Sequence, residues 1–377
     1  MVTIIHFGFQ YSAVADNSMV VMHAVSSLNV GGAERFVIDL STVQREQGLV
    51  PVVLSLGRES DALVSEARSL GLEVLLAPPG LVRRSLAVLR WVRQRKVRIL
   101  HIHSSMVLKS LALILPFLAW HCRVIYTRHG QAPLAEKSWL YLHRWARRFV
   151  SAVTFVSNTS QGVFNEIQMW PPEIQQVIDN GVLLPPRPKQ LQHDAPLQLG
   201  CVGRLVELKG QRHLIHVLGD PGMGVPASTM LHVFGDGPLR GEYETLAARL
   251  DVAARVRFHG NVMDRGAVYA TFDILVVCSQ TEGLSLAIME AMAYGMPVIA
   301  TDVGGNSQLV LDGVTGLLVP YADAAALARA IRQLVGNPAL ASAMGKRGRE
   351  RVAEQFSIER TSGFYNQVYG LPVKGGV

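Results

Sequence analysis

Short β-branched apolar runs alternate along the chain with longer segments of helical periodicity. Because buried strands are short and apolar, and the segments between them are long enough for helices, the pattern predicts repeated βα units with parallel sheets. The first half has predicted strands near Val20–Val25, Val50–Ser55, Glu73–Leu76, Ile99–His103, Arg123–Thr127 and Ala152–Phe155. The second half repeats the pattern near Leu197–Val202, Met230–Phe234, Val256–His259, Ile274–Val277 and Pro297–Thr301.

A proline-rich stretch separates the two series of strands. Asn180 and Gly181 form a turn signal, and four prolines follow between Pro185 and Pro196, which is typical of a linker. A length of 377 residues also favours two domains. The predicted organisation is an N-terminal extension at 1–18, an N-terminal Rossmann-like domain at 19–184, a linker at 185–196, a C-terminal Rossmann-like domain at 197–357, and a C-terminal helix and tail at 358–377 that can cross back to the N-terminal domain.

The chain is basic, with a formal net charge of +7, and the excess positive charge is concentrated in the first half. The segment Leu81–Leu100 contains six arginines and one lysine but no acidic residue, and Arg144, Arg147 and Arg148 form a second cluster. Such surfaces attract polyanions, either nucleic acid or an anionic membrane. No nucleic-acid recognition motif accompanies the charge, so we expect no nucleic-acid partner.

The cysteines and the hydropathy of the chain indicate in which cellular compartment the protein is expected. Cys122, Cys201 and Cys278 are far apart and lack metal-ligand spacing, which is typical of reduced thiols in a cytosolic protein. The first residues lack the basic and long apolar regions of a signal peptide. The longest apolar run, Leu111–Trp120, contains Pro116 and is too short to cross a bilayer. We therefore expect a cytoplasmic location, with peripheral attachment to the inner face of the membrane as an option.

A pair of glycines follows the first predicted strand. Gly31 and Gly32 precede a helical segment, and glycines at such a turn let the backbone approach a ligand while helix amides face an anion. A plain βα turn explains the same residues equally well, because the spacing is not that of the dinucleotide fingerprint.

Two cations follow the first predicted strand of the second half. Arg204 and Lys209 come directly after Leu197–Val202, and a planar guanidinium beside a mobile ammonium suits a diphosphate in a cleft. Ordinary surface cations on a loop are the alternative.

The segment "TEGLSLAIMEAMAYGMPVIATDVGG" begins at Thr281 and carries two glutamates, Glu282 and Glu290, eight positions apart. Glu282 lies in the exit loop of a strand, and Glu290 lies inside an apolar helical run, where an unpaired carboxylate is costly. Carboxylates accept paired hydrogen bonds from vicinal hydroxyls, as in sugars and riboses. The plainer interpretation is a loop acid and a helix acid that pairs with a cation elsewhere.

The same segment predicts an anion-binding helix start. A helix is predicted over Leu284–Tyr294, with Ser285 as its cap. The amides expected to point into the cleft are those of Gly283, Leu284 and Ser285.

Three histidines lie at or just past the ends of predicted strands. His101 and His103 share one face of a strand, so a metal pair is conceivable, but no third ligand is evident and packing is the favoured interpretation. His129 lies just past another strand and is the better candidate to donate to a reacting hydroxyl or phosphate.

Together these residues resemble a known family. The motifs "NVGGAER", "HIHSS", "TRHG", "VIDNGV", "VGRLVELKG", "VFGDGPLRGEYETLAARL", "VRFHGNV" and "SQTEGLSLAIMEAMAYGMPVIATDVGG" follow one another with the spacing of the retaining nucleotide-sugar glycosyltransferases of glycosyltransferase family 4. The resemblance covers roughly residues 20–370 and implies the GT-B fold, an α/β architecture in which two Rossmann-like domains face each other across a cleft.

The resemblance assigns roles to the donor-binding residues. Glu282 would contact hydroxyls of the transferred sugar, and Glu290 would hold the ribose hydroxyls. Arg204 and Lys209 would bind the diphosphate together with the helix start. The backbone near Asn261 and Val262 would meet the base, with Val262 as the donor-binding residue.

The remaining roles concern the N-terminal domain. Gly31 and Gly32 match the loop near the diphosphate and the acceptor, and His129 matches the histidine at the reacting centre. The chain departs from the family at Leu183, where an acid is common, and at 306–308, where the loop reads Asn-Ser-Gln instead of containing proline and glutamate. The second departure borders the donor site and leaves the donor's identity open.

The resemblance also implies a mechanism and partners. The substrate is a nucleoside diphosphate sugar, and neither a metal nor a separate cofactor is expected, because cations and helix amides stabilise the leaving diphosphate. The favoured reaction is a same-face displacement in which the leaving phosphate takes the acceptor's proton. The expected acceptor is a lipid-linked or polysaccharide glycan of a bacterial envelope. A nucleotide-sugar epimerase of the same fold and a basic module that binds membranes or polyanions remain alternatives.

The resemblance further implies that the basic N-terminal domain docks on anionic lipid, as in related peripheral enzymes. Leu86, Leu89 and Val92 form a helical stripe among the arginines, so an anionic membrane surface is a further expected partner, with a solvated basic helix as the alternative.

Overall fold

A computed structural model of the protein describes residues 19–130, 136–167, 170–189 and 197–371. The predicted extension at 1–18 lies outside the described residues, as do residues 190–196 of the predicted linker and 372–377 of the predicted tail. The described residues form two parallel sheets, one in each half of the chain.

The N-terminal sheet has seven strands. They are β1 (Val20–Val25), β2 (Val50–Ser55), β3 (Glu73–Leu76), β4 (Ile99–Ile102), β5 (Arg123–Arg128), β6 (Ala152–Phe155) and β7 (Gln175–Val177). Their order is β3-β2-β1-β4-β5-β6-β7, and all neighbours are parallel. The strand order reverses between β1 and β4, and open α/β sheets bind ligands at the carboxyl ends of strands at such a point.

The C-terminal sheet has six strands. They are β8 (Leu199–Val202), β9 (Leu231–Phe234), β10 (Val256–Gly260), β11 (Ile274–Val277), β12 (Val298–Thr301) and β13 (Gly316–Val319). Their order is β10-β9-β8-β11-β12-β13, again parallel throughout. The reversal falls between β8 and β11, which are the strands that precede Arg204 and Glu282.

Helices cover both faces of each sheet. In the first half they are α1 (Gly32–Glu46), α2 (Ala62–Ser69), α3 (Leu81–Gln94), α4 (Ser105–Leu111), α5 (Leu115–His121), α6 (Lys137–Ala146) and α7 (Asn158–Ile167). In the second half they are α8 (Gln211–Gly219), α9 (Arg240–Arg249), α10 (Arg265–Ala270), α11 (Leu286–Ala293), α12 (Asn306–Leu309), α13 (Ala324–Val335), α14 (Pro338–Gln355) and α15 (Ile358–Tyr369). Within the described residues, no helix combines the length and the apolar character needed to span a bilayer.

The strands are apolar on both sides because both faces of each sheet are buried. Met22 and Leu100 belong to the core on one face of the N-terminal sheet, and Val21 and Ile99 belong to the core on the other. Burying one such side chain stabilises the fold by about 1.5–3 kcal/mol. This continuous apolar pattern is what made the strands recognisable, and the prediction of two Rossmann-like domains is confirmed.

Two edge strands were missing from the sequence prediction. Strand β7 is three residues long and contains Gln175 and Gln176, so it lacks the apolar run used to find the others. Strand β13 is a four-residue segment that begins with Gly316. The remaining predicted strands are all present, with small differences at their ends.

The last helix returns to the first domain. Val182 donates its N–H to the carbonyl of Phe356 and accepts from Ile358 N–H, both at 3.0 Å, and α15 then packs against α1. The side chains of Tyr365 and Tyr369 are buried in the same apolar cluster as α1. The core of the N-terminal domain is thus completed by residues that follow the whole C-terminal domain.

Candidate active site

The carboxyl ends of the two sheets face each other. A Cβ at Gly32, just after β1, would lie 3.1 Å from Leu286 Cδ1 of α11, and one at Gly283 would lie 3.3 Å from the carbonyl oxygen of His129. The residues predicted to bind a ligand therefore come from both domains and line one cleft.

Charged side chains link the two domains. Arg265 of α10 donates from Nη1 and Nη2 to the two carboxylate oxygens of Asp39 in α1, at 2.6 and 2.7 Å. Arg35 of α1 donates to the carbonyl of Met263 at 2.7 Å. Both links lie beside an inter-domain groove of about 630 Å³ between α2 and the segment 263–266. This groove is adjacent to Asn261 and Val262, the predicted base-contacting segment.

Glu290 is paired with protein groups. The Tyr269 hydroxyl donates to Oε2 at 2.6 Å, and Arg265 approaches Oε1 at 3.4 Å. Burial raises the pKa of Glu290, while the positive charge of Arg265 and the hydrogen bond from Tyr269 act in the opposite direction. The plainer sequence interpretation, a helix acid that faces a cation, therefore describes the contacts of Glu290 with the protein. Because Oε1 has only the long contact with Arg265 in the part of the chain that the structure describes, it keeps capacity to accept from a ribose hydroxyl.

Glu282 and Lys209 form an ion pair at the exit of β11 and β8. Lys209 Nζ lies 2.6 Å from Glu282 Oε1, and the Ser279 hydroxyl donates to the same oxygen at 2.6 Å. The Glu282 side chain is 10% exposed and that of Lys209 is 33% exposed. The predicted sugar-binding acid and the predicted diphosphate-binding cation thus occupy one point in the cleft.

Arg204 is exposed and influences an acidic residue of the N-terminal domain. Burial raises the pKa of Glu34 in α1, and the positive charge of Arg204 is among the influences that oppose this rise. A Cβ at Gly31 would collide with the Glu34 carboxylate, so the glycine leaves room for that side chain. Glu34, which adjoins Gly31, therefore lies within electrostatic reach of Arg204 across the cleft.

The diglycine after β12 supports the Glu282 loop. Gly304 has φ 55°, and a Cβ there would overlap the carbonyl oxygen of Glu282, while a Cβ at Gly305 would overlap that of Gly283. Gly305 N–H donates to the Glu282 carbonyl at 3.3 Å. These two positions must be glycine because the loop backbone lies directly against them.

Helix α11, which follows the Glu282 loop, is shorter than predicted. It begins at Leu286, and Ser285 occupies the N-cap position but its side chain makes no capping hydrogen bond, so the predicted side-chain cap is wrong. The Leu284 side chain is buried in the core and can contribute only backbone. The amides at this helix start have no i−4 carbonyl partners, which leaves them suited to an anion.

His129 lies just past β5, and its carbonyl oxygen borders Gly283 of the Glu282 loop. Burial lowers its pKa to about 4, so the imidazole is neutral at pH 7. Its Nε2 lies 3.0 Å from Nδ1 of His103, whereas its buried Nδ1 has no hydrogen-bond partner among the described residues. A neutral histidine with one vacant nitrogen can exchange a hydrogen bond with a ligand hydroxyl.

His101 and His103 are buried, and a third histidine, His23 of β1, lies with them. One nitrogen from each lies within 4.8 Å of the others, so these residues supply the third ligand that the sequence did not reveal. The nitrogens are nevertheless engaged in hydrogen bonds. His23 bonds to His103 and to Gln44, and His101 Nδ1 and Nε2 lie 2.7 and 2.6 Å from the hydroxyls of Tyr369 and Thr127. A metal ion would have to displace this network, which favours the packing interpretation.

Two family models match the chain. The model described as Glycosyltransferase Family 4 matches residues 30–184, and the model described as Glycosyl transferases group 1 matches residues 186–351. The chain belongs to the glycosyltransferases. The resemblance drawn from the motifs is confirmed at this level, and the two matches meet between the two sheets.

Curated relatives agree with the family. The glycosyltransferase is 37% identical over 176 residues to the lipopolysaccharide core biosynthesis glycosyltransferase LpsE of Rhizobium meliloti, covering 46% of this chain and 50% of the relative. It is 36% identical over 158 residues to a GDP-mannose-dependent alpha-(1-6)-phosphatidylinositol monomannoside mannosyltransferase of Mycolicibacterium smegmatis, covering 40% and 41%. The chain spans about half the length, or less, of the curated relatives it matches.

Solved structures show the same fold at lower identity. HepE of Anabaena in complex with UDP-glucose superimposes with a TM-score of 0.80 at 21% identity, covering 93% of the glycosyltransferase and 99% of HepE. Sucrose-phosphate synthase of Thermosynechococcus elongatus gives a TM-score of 0.78 at 22% identity, covering 93% and 98%. The predicted GT-B fold is confirmed.

Several residues in the cleft or buried behind it were not found from the sequence of the glycosyltransferase. Asp39 and Gln44 lie on the buried face of α1. Polar residues on an otherwise apolar helix face were the sequence signal that could have marked them as functional. Glu34 was visible in the "GGAER" motif but was given no role. Arg265 and Tyr269 lie on α10, a six-residue helix whose cap, Asp264, was the available signal.

Proposed function

We propose that the chain is a retaining glycosyltransferase that moves a hexose-type sugar from a nucleoside diphosphate sugar to a hydroxyl acceptor. The observation that carries the proposal is the meeting of Lys209, Glu282 and the start of α11 in one cleft wall, with His129 on the opposite wall. Cations and helix amides suit a diphosphate, and a carboxylate beside them suits sugar hydroxyls.

The nucleoside end of the donor would lie toward Glu290. Its Oε1, which has only a long contact with Arg265 among the described residues, has capacity left to accept from a ribose hydroxyl, and the groove lined by Met263–Gly266 and Tyr294 offers space for a base beyond it. Asn261 and Val262 border this groove in the proposal. HepE is described in complex with UDP-glucose and one relative as GDP-mannose-dependent, so both donors are suitable first probes.

The chemistry would depend on stabilising the leaving nucleoside diphosphate. The bond between the sugar's anomeric carbon and the phosphate oxygen breaks, and a bond from that carbon to the acceptor oxygen forms on the same face. The acceptor's proton passes to the departing phosphate oxygen. Arg204, Lys209 and the amides of 283–285 would stabilise the charge on the diphosphate, so the proposal requires neither a metal nor a separate cofactor.

The proposed acceptor is a lipid-linked or polysaccharide glycan of a bacterial envelope. Relatives named for lipopolysaccharide core and phosphatidylinositol mannoside synthesis support this class. We further propose a cytoplasmic location with peripheral attachment to the inner face of the membrane.

One face of the N-terminal domain supports membrane attachment. Trp120 is 86% exposed, and Phe117 and Leu113 beside it are 56% and 67% exposed. Helix α3, which contacts this segment, adds Leu86 at 64% exposure. We call Leu86, Leu113, Phe117 and Trp120 the apolar patch.

The apolar patch differs from the stripe predicted on α3. Leu89 is only partly exposed and packs on the core, and Val92 is buried, so these two stripe positions face inward and that part of the prediction is wrong. Arg90 and Arg93 are exposed on α3, and Arg93 reaches His121 of α5. Exposed aromatic residues beside arginines suit an anionic lipid surface.

A donor screen tests the proposed function. The purified chain is incubated with UDP-glucose, GDP-mannose, UDP and GDP, and its thermal midpoint is recorded, because a ligand that binds only the folded state raises it. We expect one nucleoside diphosphate and the corresponding nucleotide sugar to raise the thermal midpoint. We also expect slow hydrolysis of that nucleotide sugar, with water as acceptor, to release the free sugar in the α configuration. Production of an epimerised nucleotide sugar would instead support the epimerase alternative, and no shift with any of the four would count against a UDP- or GDP-sugar donor.

A further inference from the structure

A chain of hydrogen bonds connects His129 to the interior of the N-terminal domain. His129 Nε2 lies 3.0 Å from His103 Nδ1, and His103 Nε2 lies 3.0 Å from His23 Nδ1. His23 Nε2 lies 2.8 Å from the amide oxygen of Gln44 in α1. The three histidines stand at or just past β5, β4 and β1, so the parallel strand order aligns them in one row.

All three imidazoles are neutral at pH 7. Burial lowers the pKa of His23 and of His129 to about 4, and it lowers the pKa of His103 well below the ordinary value. A neutral imidazole carries one N–H and one acceptor nitrogen. Each histidine in the row can therefore donate one hydrogen bond and accept one, and the direction of the whole row is set at its end.

Gln44 fixes that direction because its amide oxygen can only accept. His23 must carry its proton on Nε2 to donate to Gln44, so its Nδ1 accepts from His103 Nε2. The same logic puts the proton of His129 on Nε2, since His103 Nδ1 is now an acceptor. The nitrogen left over is His129 Nδ1, which holds a lone pair.

The other end of the row agrees with this direction. His129 Nδ1 is buried and has no partner among the described residues. An unsatisfied buried N–H is rarer in proteins than an under-satisfied acceptor, so the state with a lone pair at this end is favoured. The nitrogen side of the Gln44 amide faces the Tyr369 hydroxyl at 3.5 Å, which is consistent with the same amide orientation.

We propose that Gln44 is a positioning residue that sets the tautomer of His129 through His23 and His103, so that His129 Nδ1 accepts a hydrogen bond from a hydroxyl of the transferred sugar. The role of the sugar rests on the proposed function, whereas the tautomer itself does not. The sugar is the expected donor of this hydrogen bond because the His129 backbone adjoins Gly283, next to Glu282.

The tautomers can be read directly by NMR. In the full chain with 15N-labelled histidine, long-range proton–nitrogen spectra distinguish a protonated ring nitrogen from an acceptor nitrogen. We expect His23, His103 and His129 all to carry the proton on Nε2. Gln44→Met removes the acceptor while keeping an unbranched side chain, so the row loses its direction and His129 should become a mixture of tautomers.

Gln47→Met is the matched control. Gln47 also lies at the seam between α1 and α15, where it accepts from Ser362 at 2.8 Å and from Asn366 at 3.1 Å, but it does not touch the histidines. It should leave the His129 tautomer unchanged, and a thermal melt of both variants checks that they are folded. Finding His129 protonated on Nδ1 in the unaltered chain, or unchanged in Gln44→Met, would overturn the proposal.

Ligand addition separates this inference from the proposed function. Binding of the matching donor, but not of its nucleoside diphosphate alone, should move the His129 Nδ1 resonance, and Gln44→Met should lower kcat about fivefold to tenfold with little change in KM. Correct tautomers with no response to UDP-glucose or GDP-mannose would leave the relay intact and count against the sugar contact. Transferase activity in a chain whose His129 carries its proton on Nδ1 would support the proposed function and overturn the role of Gln44.

Discussion

Lys209 Nζ lies 2.6 Å from Glu282 Oε1, so the cation predicted to hold the donor's diphosphate is paired with the carboxylate predicted to hold its sugar. The pair keeps both charges satisfied at a half-buried position before a donor arrives. Donor binding would place a phosphate beside Lys209 and hydroxyls beside Glu282, so each partner would gain a new contact as the pair loosens.

Glu282→Gln tests this exchange. The amide accepts weaker hydrogen bonds than a carboxylate does, so transfer should fall by about 10–100-fold, which corresponds to one lost hydrogen bond to a charged group. Affinity for the nucleoside diphosphate should persist, because Lys209 stays available to the phosphates. Steady-state kinetics and calorimetry with the diphosphate measure the two effects.

A neighbouring acid provides the control for that variant. Glu207 is exposed and pairs with Arg212 at 3.0 Å, so Glu207→Gln changes the net charge of the same region without touching the cleft wall. It should keep normal turnover. Equal turnover of Glu282→Gln and the unaltered chain would reject the sugar-contact role.

The diglycine gives a second prediction, on the position of the Glu282 loop. Gly304→Ala forces a side chain into a left-handed backbone at φ 55° and against the Glu282 carbonyl. Gly313→Ala has the same kind of backbone, at φ 71°, but open space around it. The left-handed conformation costs about 1–2 kcal/mol in each, whereas only Gly304→Ala should also displace the loop.

Urea unfolding and donor titration distinguish the two alanine variants. Gly313→Ala should lose stability but bind donor normally. Gly304→Ala should lose more stability and bind donor at least tenfold more weakly. If the two variants bound donor equally, the diglycine would have no role in placing Glu282.

The fold could be predicted because its signal is local. Strands buried on both faces read as short apolar runs, and βα alternation allows few topologies. The partners of Glu290 could not be predicted in this way. Arg265 lies on a short helix 25 residues earlier in the chain, and Asp39, which orients it, is 226 residues away from it. Spacing along a helix says where a carboxylate points but not which distant side chain meets it.

The histidines illustrate the same limit. The strand pattern placed His101 and His103 near the cleft, but whether they bind a metal or each other depends on His23 and Gln44, which arrive from other elements. The C-terminal crossing is similar, because the sequence showed a final helix and only the structure shows the surface of α1 that it covers.

The contact between Arg265 and Asp39 predicts a coupling between domain closure and nucleotide binding. Asp39→Asn removes the counter-charge of a partly buried guanidinium, so the closed arrangement should weaken and Arg265 should turn toward Glu290. We expect a larger radius of gyration in solution scattering and a several-fold higher KM for the donor. Small-angle scattering with and without the matching nucleoside diphosphate measures the first effect.

An exposed ion pair within one domain is the control for Asp39→Asn. Glu59 pairs with Arg68 on the surface of the N-terminal domain, where such pairs contribute little. Glu59→Gln should change neither the radius of gyration nor KM. An Asp39→Asn variant as compact as the unaltered chain would show that this contact does not hold the domains together.

Buried neutral histidines predict loss of stability in mild acid. Burial lowers the pKa of His143 to about 4, whereas the unfolded chain titrates near the ordinary value of about 6.5. Below that value the unfolded state binds more protons than the folded state, so stability falls as pH falls from about 6.5 toward 4. From pH 7 to pH 5 this one residue should cost about 2 kcal/mol.

Urea midpoints across that range test the assignment to one histidine. His143→Gln should lessen the loss between pH 7 and pH 5 by about 2 kcal/mol, because the variant has no proton to gain. The unaltered chain, measured in the same buffers, is the reference for this loss. A profile for His143→Gln identical to that of the unaltered chain would contradict the prediction.

The apolar patch predicts selective binding to anionic membranes. Replacing Trp120 and Phe117 together by serine removes two large exposed apolar side chains, at 86% and 56% exposure, without disturbing the core. Because inserting such side chains into lipid contributes roughly 1–3 kcal/mol each, the double variant should bind anionic vesicles at least tenfold more weakly. Leu311→Ser, at an exposed leucine of the C-terminal domain, is the matched control and should bind as the unaltered chain does.

Vesicle sedimentation with neutral and anionic lipid measures this binding, and the arginines of α3 give it a second signature. Their attraction is screened by salt, so binding of the unaltered chain should weaken between low and physiological ionic strength, while the loss caused by the serine variant persists at both. The contribution of the arginines and that of the apolar patch can be separated, because salt weakens the first and the serine substitutions remove the second. Equal binding of the unaltered chain to neutral and anionic vesicles would show that the arginines do not contribute to binding. Unchanged binding of the double serine variant would show that the apolar patch does not contribute.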